Sequence, residues 1–149
     1  MITKIQPVAF LLGRIALGAV FVAHGWQKWS EWGIDGTAAA FEGMGVPAPQ
    51  LSAYFAATVE LVGGALLILG ALLPVVGVLL AADMLGALFI VHLEAGFWSA
   101  EGGYEFVLTL AAAALVIGFS GGGALAVDRL FGKRGEVDQA EAEKAEQAA

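Results

Sequence analysis

The chain contains no cysteine. That excludes a disulfide framework, thiolate metal sites and any thiol chemistry run by the protein's own Cys pair. It is also poor in charge. Only 14% of its 149 residues are Asp, Glu, Lys or Arg, where about a quarter is usual for a soluble domain. Lys and Arg together number seven, and they form no stripe that could neutralise a phosphate backbone, so nucleic acid is not an expected partner. The net charge of −7 reflects an acidic tail, "GEVDQAEAEKAEQAA", more than the body of the chain. A cleavable leader is not expected either. Arg14 interrupts the apolar stretch after Lys4, and no small-residue cleavage site cleanly follows it.

What the chain has instead is apolar surface. It is 59% hydrophobic, with a mean hydropathy of +0.81, and the excess comes in long blocks. A membrane helix needs about 20 mostly apolar residues. Four blocks meet that need, over residues 8–29, 51–73, 75–93 and 104–120. The expected fold is all-α: an integral membrane four-helix bundle. The first outer loop, "GIDGTAAAFEGMGVPAPQ", is too short and polar to span. Its Ala38–Met44 segment suits a short interfacial helix stopped by Gly45 and Pro47. Residues 1–130 read as one transmembrane domain. Residues 131–149 read as an acidic cytoplasmic tail, disordered or loosely helical.

Orientation follows from the basic residues that flank the spans. Lys4, Arg129, Lys133 and Arg134 fall on one side. Lys28 falls on the other, among Glu31, Asp35, Glu42, Glu94 and Glu101. Both termini are therefore expected in the cytoplasm of a bacterial cell, with the protein in its inner membrane. Trp26, Trp29, Trp32 and Trp98 all fall at the expected outer boundary, as do Tyr54 and Tyr104. Amphipathic rings favour headgroup depth, so the four tryptophans are expected as interfacial anchors.

Ionisable residues inside spans carry the functional information, because a charge at mid-bilayer costs about 2.5–3.5 kcal/mol on insertion scales. They are Arg14, His24, Glu60 and Asp83, with His92 and Glu105 near helix ends. Counting about 1.5 Å per residue, Arg14 and Asp83 reach similar depth from the cytoplasmic side. A structural Arg14–Asp83 ion pair is expected, the alternative being separate snorkelling to the headgroups. Glu60 precedes Gly63 and Gly64, which allow close helix approach, so it is expected to face a neighbouring helix. His24, Glu60, His92 and Glu105 come from four different helices and could converge in the outer half. That cluster admits four readings: a metal site, a haem held between His24 and His92, a quinone pocket with an imidazole donor and a carboxylate partner, or a structural polar network. No three- or four-residue spacing pairs two of the four residues, and no metal is expected. One conflict stands. Asp83 and His92 are nine residues apart, which puts them on opposite faces of an ideal helix. An outward group could be received by a second copy, a hint of a homo-oligomer.

The order of "LLGRIALGAVFVAHGWQKW", "GTAAAFEGMGVPAPQLSAYFAATVELVGGALLILGALL", "LFIVHLEAGFW" and "GGYEFVLTLAAAALV" resembles the DoxX family of small bacterial membrane proteins over about residues 10–128. The resemblance implies a four-helix membrane bundle linked to membrane oxidoreductase work. One branch of the family resembles a subunit of a thiosulfate:quinone oxidoreductase, and another is associated with a sulfurtransferase and a superoxide dismutase. The chain departs from the family pattern at "LLPVVG" and "SGGGALAVD", where a basic residue and a Gly-Pro-Gly turn are expected. The function expected is a quinone-linked or redox-complex subunit with quinone as its cofactor. The alternative is a non-catalytic membrane scaffold that recruits soluble oxidative-stress or sulfur-metabolism partners.

Overall fold

The computed structural model describes residues 2–129. The acidic tail expected over residues 131–149 lies outside the described residues, as do Lys133 and Arg134.

Five helices organise the chain. Helix α1 runs Ile2–Trp26 and widens into a π-helical turn over Gln27–Glu31. Helix α2 is Gly33–Gly43, so the short helix of the first connection starts five residues before the expected Ala38. Helix α3 is Pro49–Leu69 and helix α4 is Leu73–Ala95. Helix α5 is Glu105–Phe119. The protein is an all-helical bundle. Three helices, over Ile5–Glu31, Pro49–Leu69 and Leu73–Ala95, are long and apolar enough to cross a membrane. The fourth apolar helix, α5, has 15 residues, or about 22 Å of rise against a hydrocarbon core of about 30 Å. Its Tyr104 end is extended by the Phe97–Trp98 loop, which folds against it through Glu105 N–H to the Phe97 carbonyl at 2.9 Å.

Two backbone contacts set the packing. Helix α1 meets α3 where Gly18 faces Gly64. A Cβ on Gly64 would lie 2.8 Å from the Gly18 carbonyl oxygen, so only glycine lets the two backbones touch. Helix α4 meets α5 through Gly77 and Gly118, where a Cβ on Gly77 would lie 2.7 Å from the Ala114 carbonyl oxygen. Between these two pairs Phe21, Leu67, Leu80, Leu110 and Ala114 close the core. A smaller core of Ile34, Ala38, Ala53 and Ala57 seats α2 on α3. The outward residues of the bundle are large and apolar, among them Val62, Val75, Phe89 and Val116, as a lipid-facing wall requires.

The end of the bundle that carries the N-terminus is closed by a strap, residues 121–129. Ala124 N–H donates to the Pro7 carbonyl at 2.8 Å, and Asp128 N–H to the Gly70 carbonyl at 3.0 Å. The Asp128 carboxylate accepts from Leu72 N–H and Leu73 N–H, each at 2.8 Å. It thereby caps α4 from outside, satisfying amides that α4's own residues leave open. Arg14 is 1% exposed and donates to the Ala124 carbonyl at 2.8 Å.

This placement corrects the expected Arg14–Asp83 pair. Arg14 sits level with Gly70, its guanidinium filling the space where a Cβ of Gly70 would be. Asp83 lies ten residues along α4 from Leu73, or about 15 Å further into the bundle. The guanidinium instead lies beside Gly70 at the C-terminal end of α3, an end that favours a cation, although Nε and Nη1 have no hydrogen-bond partner among the described residues.

Candidate ligand cavity

The opposite end, which carries the α1–α2 and α4–α5 connections, holds the polar groups. Three of the long helices depart from regular α geometry there. Each has a π-helical turn: Gln27–Glu31 in α1, Val59–Gly63 in α3 and Leu88–His92 in α4. Each turn carries one polar side chain that faces inward: Lys28, Glu60 and His92. A π-turn adds a residue to the turn and rotates everything beyond it, and such turns recur at functional sites. The rotation resolves the conflict between Asp83 and His92. Both line one cavity, because the widened turn between them carries His92 round to the face of Asp83. The case for a second copy receiving an outward group therefore loses its premise.

The cavity has a volume of about 510 Å³. Its walls are mostly apolar, with Phe21, Phe55, Met84 and Phe106 among them, and its polar groups are few: His24, Lys28, Glu60, Asp83 and His92 chief among them. Lys28 Nζ donates to Glu60 Oε2 at 2.7 Å, and the two side chains are 12% and 5% exposed. The π-turn that presents Lys28 is itself held. The buried Thr37 hydroxyl donates to the Lys28 carbonyl at 3.2 Å and to the Gly33 carbonyl at 2.9 Å. Asp83 on α4 and Glu60 on α3 line the same cavity. Asp83 Oδ2 is buried and has no hydrogen-bond partner among the described residues.

The two histidines differ. His24 is exposed on α1, its ring 6.4 Å from that of Phe106. His92 is half-buried, with Nδ1 2.7 Å from the Gly102 carbonyl oxygen. A carbonyl can only accept, so Nδ1 carries the hydrogen and neutral His92 keeps Nε2 as an acceptor.

Three of the four residues expected in the polar cluster, His24, Glu60 and His92, meet at the cavity. Glu105 does not line it. Its carboxylate accepts from Ser99 N–H at 2.9 Å and Ser99 Oγ at 2.8 Å, fixing the loop that supplies the Gly102 carbonyl to His92. It is a positioning residue, placed where a carboxylate also suits the start of α5. Two cavity residues escaped the sequence reading as site members. Lys28 follows His24 by four, one turn on the same helix face, and that spacing was the available signal. Asp83 was paired with Arg14 on matched depth, but Arg14 sits level with Gly70 and Asp83 about 15 Å further into the bundle. Among the described residues, no three His, Asp or Glu side chains converge as metal ligands. Trp26, Trp29, Trp32 and Trp98 are all exposed and all lie at this end, and Trp32 also lines the cavity.

The family model described as DoxX matches residues 9–93. The chain belongs to the DoxX family. The matched region contains His24, Lys28, Glu60, Asp83 and His92 and stops short of Ser99, Gly102 and Glu105. Relatives within reach of this DoxX chain include "Putative oxidoreductase CatD" of Bacillus subtilis, 37% identical over 71% of this chain and 77% of that protein. "Inner membrane protein YphA" of Escherichia coli is 30% identical over 83% and 91%. "Uncharacterized membrane protein Rv3486" of Mycobacterium tuberculosis is 31% identical over 86% and 84%. No solved structure matches. The chain is thus a DoxX-family membrane protein.

Proposed function

We propose that the cavity receives the ring of a membrane-soluble quinone, and that the protein is the quinone-handling subunit of a redox complex in the bacterial cytoplasmic membrane, with both termini cytoplasmic. The observation that carries this reading is the cavity's make-up: an apolar slot with a few polar groups along its wall. Its 510 Å³ lies within the range of about 300–1,000 Å³ typical of small-molecule sites. The residues present fit a quinone head. Lys28 spends one N–H on Glu60 and has two left to donate to a carbonyl oxygen. His24 can donate or accept, and His92 Nε2 can accept from an O–H of the reduced, quinol form. Phe55 and Phe106 supply flat apolar walls. When bound, a quinone supplies two-electron, two-proton carrier chemistry. The protein's own part is to exclude water, orient the ring and hold charge near its oxygens. The printed name of the Bacillus relative, an oxidoreductase, lies in the same direction.

The test is binding of a short-chain quinone analogue to the full chain in lipid nanodiscs, followed by tryptophan fluorescence, since Trp32 lines the cavity. Saturable binding is expected, weakened about tenfold or more by Lys28→Gln or His24→Ala, the scale of one hydrogen bond to a charged group. No binding at saturating analogue would overturn the reading. A scaffold role would then stand, supported if soluble partners co-purify with a chain in which the cavity residues are replaced.

A further inference from the structure

The Lys28–Glu60–Asp83 cluster has a charge count that its surroundings cannot hold. Three helices bring two carboxyls and one ammonium together inside an apolar bundle. Lys28 balances Glu60 through the 2.7 Å pair. Asp83 is left over. It lines the same cavity as Glu60, and two ionised carboxylates in one apolar cavity repel and have no donor between them. Asp83 Oδ2 is buried without a partner. A buried acceptor in this state is costly, and an unbalanced charge at membrane depth more so. One hydrogen between the two carboxyls removes both problems at once. It turns a repulsive contact into a hydrogen bond and brings the cluster from −1 to neutral.

We propose that Lys28, Glu60 and Asp83 form a membrane-embedded site for a single exchangeable proton, opening on the cavity. The proton is bound by making a carboxyl O–H bond on the Asp83–Glu60 pair and released by breaking it. The cluster alternates between neutral and −1, and the ammonium of Lys28 limits the cost of the charged state. Other charged or titratable groups that face it are His24 on α1 and His92 on α4. Helix α5 presents Phe106, Val107 and Leu110 to the cavity, its Glu105 being turned to Ser99. Water in the cavity, or a basic oxygen on whatever the cavity binds, is the exchange partner. The inference goes beyond the quinone reading and does not need it.

Infrared spectroscopy of the full chain in nanodiscs counts the site. The C=O stretch of a protonated carboxyl, shifted in D₂O, is expected near neutral pH at an intensity of one group per chain. Asp83→Asn and Glu60→Gln should each abolish it, since each leaves one carboxylate paired with one ammonium. Lys28→Met should double it, since two carboxyls without an ammonium need two protons. A merely structural ion pair moves none of these counts. If a variant fails to fold, wild-type protein labelled with ¹³C at Asp or at Glu side-chain carboxyls decides the matter, because the band must shift with one or both labels. Absence of the band in the wild type at neutral pH, or its persistence unchanged in Asp83→Asn, would overturn the proposal. Quinone analogue binding is scored separately on the same samples. A ligand that fails to bind while the band behaves as expected counts against the quinone reading alone.

Discussion

Lys28 is the residue whose removal should be felt most. It is 12% exposed, and its partner Glu60 is 5% exposed, so neither charge is freely hydrated. Breaking a buried pair from one side typically costs about 3–5 kcal/mol, whereas replacing both partners by apolar groups is often near neutral. Lys28→Met is therefore expected to lower thermal stability in detergent, and Lys28→Met with Glu60→Leu to recover most of the loss. If the double variant is as unstable as the sum of the singles, the pair is not acting as a unit. This pair also marks where single-residue reading ran out. Glu60 was legible as an inward carboxylate from its depth and from the glycines after it. Its partner was not, because Lys28 lies among Trp26, Trp29 and Trp32 and reads as one more residue at the membrane boundary. Arg14 was legible as a buried cation, but not its acceptor: the Ala124 carbonyl is a backbone group, and backbone groups leave no mark in a sequence.

At the scale of elements, the π-turns decide what the cavity contains. Helix α4 shows this most clearly. Without the widened turn at Leu88–His92, His92 would stay nine residues of ideal helix from Asp83 and face away from it. Deleting Ile90, which is 44% exposed, should take out the extra residue and leave His92 eight positions from Asp83, about 80° apart on a regular helix. The chain should still fold with His92 on the cavity side, whereas inserting an alanine after Ala87 should turn His92 by about 100° and lower quinone-analogue affinity. Unchanged affinity in a folded insertion variant would mean that His92 has no part in binding. Helix positions were readable from apolar run length, and the end of the short α2 from Gly45 and Pro47, though not its start at Gly33. The π-turns were not readable. Hydropathy repeats every three to four residues whether or not one turn holds an extra residue, so the local phase shift is invisible until side chains are seen to converge.

For the whole molecule, the absence of cysteine makes orientation directly measurable. Glu101→Cys, exposed in the α4–α5 connection, is expected to react with an impermeant maleimide on intact cells. Leu125→Cys, whose native residue is 84% exposed in the strap at the other end, should react only after the membrane is opened. The reverse pattern would invert the proposed topology and place the cavity on the cytoplasmic side. The bundle as a whole was the most legible level, because a bilayer allows apolar chain few alternatives to helices. The strap was the least legible, since "SGGGALAVD" carries neither length nor periodicity. Its contacts nonetheless order events in time. Arg14 and Ala124 are 110 positions apart. A nascent chain emerges N-terminus first, so this bond closes only after the helices between the two residues have been made. The strap is thus a late fastening on an early helix, and a copy cut short before residue 124 would lack it.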